Sequence, residues 1–308
     1  MRSDPPSAPP ATDGWLPIRE VARQTGVNAV TLRAWERRYG LIVPHRTAKG
    51  HRLYDAGHVQ RILQVLTWLN RGVAVSQVKD LIDSAAPQAL PAGQNDWLQL
   101  RQALAQAIGE LAERRVDDTF NQAMALYPPA TLCTQLLLPL LHDLELRWQG
   151  LFGAQMERVF FHSWLRSKLG ARIYHNNRQL GGEPVLLVNQ SDLPMEPGVW
   201  LCAWLISSSD CPVEVFDWPL PVGELALATD KLNARAVLLH ASKTLNLASL
   251  PRLLGGCGCS KLLIGPAVMI HQAQLQLLAG EIAGLYLAND PLAAQQCLQG
   301  LGLLPGRP

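Results

Sequence analysis

The sequence predicts a multidomain chain. An N-terminal winged helix-turn-helix (α) is followed by a central four-helix bundle and a C-terminal α/β domain with a flavodoxin-like (Rossmann-type) parallel sheet. Three observations predict it. Two short amphipathic stretches before residue 40 are separated by a Gly-containing turn and followed by a basic, Gly-containing hairpin pattern. Residues 95–180 carry four apolar stripes at helical spacing. From Glu183 onward, short β-rich runs alternate with helical ones, the pattern of a parallel sheet covered on both faces.

Ile18, Val21, Ala22 and Thr25 recur at three- and four-residue steps and mark one face of a first helix. Gly26 can take the left-handed conformation that ends it, and Asn28 suits the N-cap of a second helix. Arg46, Lys49 and Arg52 flank a glycine and predict a hairpin wing with a basic tip. Asp55 caps a third helix with the apolar face Val59, Ile62, Leu63, Leu66 and Leu69, ended by Gly72, and a short helix follows over 75–82. Pro87, Pro91 and Gly93 forbid a continuous helix, so 84–94 is expected to be a linker. The Pro/Ala/Ser-rich start, 1–14, reads as a disordered tail. The expected divisions are therefore 15–83, 95–180 and 181–308.

The bundle helices are expected over 97–114, 116–126, 130–149 and 154–174, with Pro139 kinking the third. Strands are expected over 185–188, 213–216, 236–240, 262–264 and 285–287. Helices are expected between and after them over 198–208, 222–233, 245–256, 268–279 and 291–301. Five alternating units suggest the flavodoxin-like strand order.

Charge is unevenly divided. Net charge over the whole chain is +2. Residues 15–82 hold eleven Lys/Arg against four Asp/Glu, and residues 83–308 hold fifteen against nineteen. A basic module joined to a mildly acidic one is the footprint of a nucleic-acid reader with a separate partner domain. With 48% apolar and 17% charged residues the chain is globular, and its apolar runs are too short to span a bilayer, so no membrane association is expected. The six cysteines form no secreted framework, which points to a cytoplasmic protein. Cys257-Gly-Cys259 supplies at most half of a tetrahedral zinc site, so no metal is expected.

The run Thr31-Leu-Arg-Ala-Trp-Glu-Arg-Arg-Tyr-Gly-Leu41, with Pro44, Arg46, Gly50, Arg52, Leu53 and Tyr54, resembles the MerR family of transcriptional regulators. It is similar in particular to the subgroup that includes MlrA-like regulators and CarH/LitR-like cobalamin photoreceptors. The resemblance implies that Thr31 and Arg33 face a DNA groove. It implies that Arg37, Arg38, Arg46, Lys49 and Arg52 serve mostly as phosphate clamps, that Trp35 and Tyr39 pack the helix and touch the DNA backbone, and that Tyr54 belongs to the DNA-binding set. It also implies double-stranded promoter DNA and RNA polymerase as partners. The helix that many relatives use for dimerisation is interrupted here, so a homo-oligomer, a dimer first, is expected to form through the C-terminal half.

In the photoreceptor relatives the resemblance extends to a helical bundle and an α/β domain that hold cobalamin. Their loop after the first sheet strand carries an acidic-x-His-x-x-Gly motif whose His ligates cobalt. Here the loop reads Asn189-Gln-Ser-Asp-Leu-Pro-Met-Glu-Pro-Gly198, with Met195 in the place of that His. Arg158 stands where the bundle should supply a His after Trp148 and Glu157, and Gly265-Pro266 replaces a pair of glycines. Trp148, Glu157, Arg158, Met195 and Ser242 remain as candidates for a ligand pocket. No cofactor is expected, because Met is a poor substitute for imidazole on cobalt. Cobalamin held by its corrin periphery is the alternative, which would make the chain a cobalamin-responsive, light-sensing regulator. No nucleophile–base pair stands out, so no catalytic residue is expected, and a corrinoid-dependent enzyme component is the weakest reading.

Overall fold

The structure, a computed structural model, describes residues 14–84, 94–150, 152–191, 193, 195–242 and 245–304. They fall into two compact units. The first runs to Gln94 and includes Ala125–Pro128; the second holds Asn95–Met124 and the chain from Pro129 onward. The expected tail over 1–14 and linker over 84–94 lie almost wholly outside the described residues.

In the first unit, α1 (Ile18–Thr25) ends at Gly26, whose φ of 67° is the left-handed conformation expected. Helix α2 (Ala29–Ala34) starts at Asn28, whose side chain accepts from Thr31 N at 2.8 Å. It continues as one widened π turn over Trp35–Tyr39 and stops at left-handed Gly40. The wing is an antiparallel pair, β2 (His45–Arg46) and β3 (Arg52–Tyr54). A strand the sequence did not suggest, β1 (Leu16–Pro17), adds to the other edge of β3. Helix α3 (Ala56–Asn70) is held by a capping box between Asp55 and His58, and α4 (Val75–Asp83) follows. Val21, Val27, Leu32, Trp35, Tyr54, Ile62, Val65 and Leu69 form the interior.

The second unit begins with the bundle. Helix α5 (Gln94–Gly109) stops short of the expected residue 114, because Leu111 turns left-handed with φ of 51°. Leu111, inside the helix expected over 97–114, therefore lies beyond its end. Helix α6 (Glu113–Leu126) follows. The third expected helix is α7 (Pro129–Leu132), a π turn over Cys133–Leu137, and α8 (Leu138–Trp148). Pro139 has no N–H to close an i→i−4 bond, so the turn ahead of it widens rather than kinking sharply. Helix α9 (Ala154–Asn177) completes the bundle.

The sheet strands are β4 (Val185–Asn189), β5 (Val213–Phe216), β6 (Ala236–His240), β7 (Ser260–Ile264) and β8 (Leu285–Ala288). They lie in the order β5-β4-β6-β7-β8 and every neighbouring pair is parallel, as the alternating pattern predicted. The helices are α10 (Pro197–Ser207), α11 (Glu224–Leu232), α12 (Leu250–Leu254), α13 (Pro266–Ile270), α14 (Gln272–Glu281) and α15 (Pro291–Gly300). The helix expected over 268–279 is two, broken at His271, and the one over 245–256 shrinks to a 3₁₀ turn plus α12. Strands β4 and β6 are buried at every position, which is why they read as continuous apolar runs. In such a sheet, ligands bind beyond the carboxyl ends of the strands where the order reverses, here between β4 and β6.

Candidate DNA interface and interior polar site

The helical run 29–39 divides its residues sharply. Leu32 and Trp35 are 1% and 0% exposed and anchor it to the core. Trp35 Nε1 donates to the carbonyl of Leu126 at 2.8 Å within the same unit. On the outer side, Val30, Arg37 and Arg38 are exposed, and Arg33 and Tyr39 are half-buried. Three expectations need correction. Thr31 is 0% exposed, its hydroxyl finding no hydrogen-bond partner among the described residues, so its side chain does not face a groove. Trp35 packs the helix as expected but, 0% exposed, cannot also touch a DNA backbone, and Tyr54, 1% exposed, is a core residue rather than part of a contact surface. For Thr31 and Trp35 the reason is that a short helical run has only one outward face, which Val30, Arg33 and Arg37 hold, whereas Tyr54 is the inward-facing end of β3.

Glu36 is the residue that sequence reasoning missed. Its Oε1 accepts from Arg46 at 2.6 Å and its Oε2 from Arg52 at 2.5 Å. Burial pushes the Glu36 carboxyl up, but the hydrogen bonds from Arg52 and Arg46 outweigh it and hold the group below its usual value. One carboxylate therefore clamps both wing strands to the helix, and charge-assisted pairs of this kind fix geometry well. Its signal was a single acidic residue inside a basic run, ten and sixteen residues before its partners. Lys49 stays exposed at the wing tip.

In the second unit, Trp148, Glu157 and Arg158 do come together. Glu157, 6% exposed, accepts from Trp148 Nε1 at 3.1 Å and from Arg147 at 2.9 Å. The Arg158 guanidinium lies over the Trp148 ring at 5.1 Å and pairs with Glu145 at 2.7 Å. His162 meets the same ring edge-on at 5.7 Å. Burial, and then the Arg158 charge, pull the His162 imidazole down to about 4.

A second group gathers at the carboxyl ends of β4 and β6. Asn189 pairs in register with His240 across the two strands. The Asn189 side chain accepts from the Ser191 hydroxyl at 2.6 Å, which folds the loop back on itself. Glu196 is 8% exposed, and burial raises its carboxyl to about 7 against the opposing pull of Ser191 and Ser242. The Glu145 charge raises it further and links the two groups. Met195 is half-buried in the loop.

His240 decides the shape of this end of the sheet. It is 5% exposed, its Nδ1 finds no hydrogen-bond partner among the described residues, and burial lowers it to about 4. Its ring lies between two glycines. A Cβ on Gly198 would fall inside contact distance of Nε2, and one on Gly265 would lie 3.1 Å from it. Gly265 also has a φ of 108°. Glu145, His162, Glu196 and His240 were not among the pocket residues expected from sequence.

Residues 16–85 match the family described as MerR HTH family regulatory protein, and residues 100–173 match the B12 binding domain. The chain is 36% identical over 128 residues to the HTH-type transcriptional regulator MlrA of Salmonella typhimurium and of Escherichia coli, covering 42% of this chain and 51% of that protein. It is 31% identical over 146 residues to the HTH-type transcriptional repressor CarH of Myxococcus xanthus, covering 43% and 48%. The chain thus spans about half the length of the curated relatives it matches. The fit of a cobalamin can be tested on the residues present. The loop offers Met195 where a cobalt ligand is needed, and the His240 ring fills the space that Gly198 and Gly265 leave open. These residues do not fit a cobalamin held from below by imidazole.

Proposed function

On the premise that this chain joins a MerR-type helix-turn-helix domain to a half related to the B12 binding domain, we propose that it is a sequence-specific transcriptional regulator. It acts as a dimer on double-stranded promoter DNA, in the cytoplasm, where RNA polymerase is its second partner. The division at 15–83, 95–180 and 181–308 belongs to this proposal. The observation that carries it is the outward face of the helix 29–39, with Arg33, Arg37 and Arg38 beside a wing that Glu36 holds in place. Phosphates are met by Arg37, Arg38, Lys49 and the remaining donors of Arg46 and Arg52, which positions the module without specifying bases. Arg33 and the Val30 methyls reach base edges in the major groove. No chemistry is assigned to the chain; its second unit is a sensing and association half.

Two outcomes test this. The purified chain should retard and footprint a duplex from its own upstream region in preference to random DNA. Arg33→Ala should reduce that preference, while Arg37→Ala should weaken both kinds of binding alike. Equal affinity for both duplexes in the unmodified protein would refute it.

The match to the B12 binding domain favours a second reading, a cobalamin-responsive regulator. Met195, Arg158 and the filled space around His240 support the first reading instead. After incubation with adenosylcobalamin and desalting, the protein should show no visible absorption band, and its DNA affinity should be the same in light and dark. Stoichiometric retention of a red chromophore would establish the second reading.

A further inference from the structure

The segment between the helical run 29–39 and the wing is held from α3 by two side chains. Gly40 ends the run, and Leu41, Ile42, Val43 and Pro44 lead into β2 at His45. Leu41, Ile42 and Pro44 are buried, while the Val43 side chain is 74% exposed. Arg61 Nε donates to the Leu41 carbonyl at 2.5 Å, and its guanidinium also pairs with Asp83 of α4 at 2.7 Å. His58 Nε2 lies 2.9 Å from the Val43 carbonyl oxygen. His58 and Arg61, three residues apart, share one face of α3 and so grip two carbonyls of the same connector.

The His58 ring is caught between two acceptors. Its Nδ1 lies 2.7 Å from Asp55 Oδ1, which also accepts from the His58 backbone N–H at 2.9 Å. Neither a carboxylate nor a peptide carbonyl has a proton to give, and a neutral imidazole carries only one N–H. With that proton on Nδ1, the Nε2 lone pair faces the Val43 carbonyl. With the proton on Nε2, the Nδ1 lone pair faces Asp55 Oδ1, and its compensation is the Asp55 backbone N–H at a longer 3.2 Å. Only the imidazolium donates at both ends. The carboxyl is in no position to supply the missing proton: the His58 backbone N–H, and then the ring, hold Asp55 below its usual value against burial. Around the ring, Tyr54 of β3 meets it edge-on at 6.0 Å, and Arg61 one turn along α3 is itself paired with Asp83. Residues 41–44 carry no titratable side chain, and among the described residues no charged side chain of α1 or α4 bonds to His58.

We propose that His58 is a positioning residue for DNA binding, which sets the wing against the helical run through these two bonds and does so fully only while its ring holds both protons. The inference rests on the DNA-binding reading above and deepens it. Loss of one proton puts a lone pair against an acceptor, either at the connector or at the cap of α3. The arginines of the run and Lys49 of the wing must reach one duplex together. A wing that is not pre-set has to be ordered on binding, which costs affinity.

The experiment is a fluorescence-anisotropy titration of the full chain with a duplex from its own upstream region, at fixed ionic strength, from about pH 6 to 8.5, where imidazoles titrate. His45 and His51 are exposed in and beside the wing strands and also gain charge in acid, so the readout is the ratio of each variant to the unmodified chain at every pH. His58→Gln is neutral throughout, and its amide nitrogen can serve only one of the two acceptors. It should match the unmodified chain near pH 8.5 and bind about three- to tenfold more weakly near pH 6, the loss of one charge-assisted bond. His58→Arg donates in two directions at any pH and should keep the acid-end affinity across the range. The slope of log K against log salt at pH 6 should be the same for the unmodified chain and both variants. A slope smaller by about 0.9 in the Gln variant would make His58 a phosphate contact and overturn the positioning role. Far-UV circular dichroism at each pH controls for folding. A Gln variant that tracks the unmodified chain at every pH would overturn the inference and leave the DNA-binding reading standing. An unmodified chain that binds neither its own duplex nor random DNA at any pH would refute that reading, and this inference with it.

Discussion

Replacing Gly198 by alanine tests the packing at the carboxyl end of the sheet. Gly198 lies in the first turn of α10 without a positive φ, so helix propensity alone predicts that alanine stabilises by up to about 1 kcal/mol. The structure predicts the opposite sign. The new methyl would fall inside contact distance of His240 Nε2, with Cδ2 and Cε1 at 3.0 and 3.3 Å. The ring cannot give way easily, because it is 5% exposed and Gly265 closes its other side. Overpacking of this kind costs about 1–3 kcal/mol, so the net expectation is a loss of roughly 1–2 kcal/mol. In a His240→Ala background the obstruction is gone, and the same change should be neutral or stabilising. The coupling between the two sites should be about 2 kcal/mol. Urea unfolding of the four proteins at pH 7.5, followed by far-UV circular dichroism, measures it. Two units can unfold separately, so the transition that shifts in the His240→Ala protein is the one to compare. If Gly198→Ala costs the same in both backgrounds, or stabilises the wild type, the ring does not fill this space. Space for a ligand between Gly198 and Gly265 would then be open.

Other expectations follow from single groups. His162 and His240 are each lowered from 6.5 to about 4, so the unfolded chain binds more protons between those values; stability should be full above pH 6.5 and fall as pH drops toward 4. Glu196 runs the other way: raised from 4.5 to about 7, it contributes stability below pH 4.5 that is lost as pH rises through 7. Glu196→Gln should therefore make the stability–pH curve rise more steeply between pH 5 and 7, and an unchanged slope in urea melts would contradict the burial of this carboxyl. Lys49→Ala should reduce the slope of log K against log salt by about 0.9 on specific and random DNA alike. Arg52→Ala should do more, because it also frees Glu36 beside the helix; a fluorescence-anisotropy titration showing Arg52→Ala and Lys49→Ala to be equivalent would discount the Glu36 clamp.

Much of the architecture was legible in the chain because it rests on local rules. Gly26, Asn28 and Asp55 end and cap helices through bonds to residues within four positions, and all three do so in the structure. The central strands stood out because strands buried on both faces are almost continuously apolar, as in Val185–Asn189 and Ala236–His240. Tertiary structure alone decided which polar groups meet. Glu36 finds Arg46 and Arg52 only when the wing folds back, and His240 finds Gly198 and Gly265 only when parallel strands bring three distant loops to one edge. It also decided which side of a helix is inside. Thr31 sits in a motif read as groove-facing yet is buried. Spacing along the chain determines which residues share a face. Whether that face meets a core, a partner or water depends on what the rest of the chain places against it, and no local pattern encodes that.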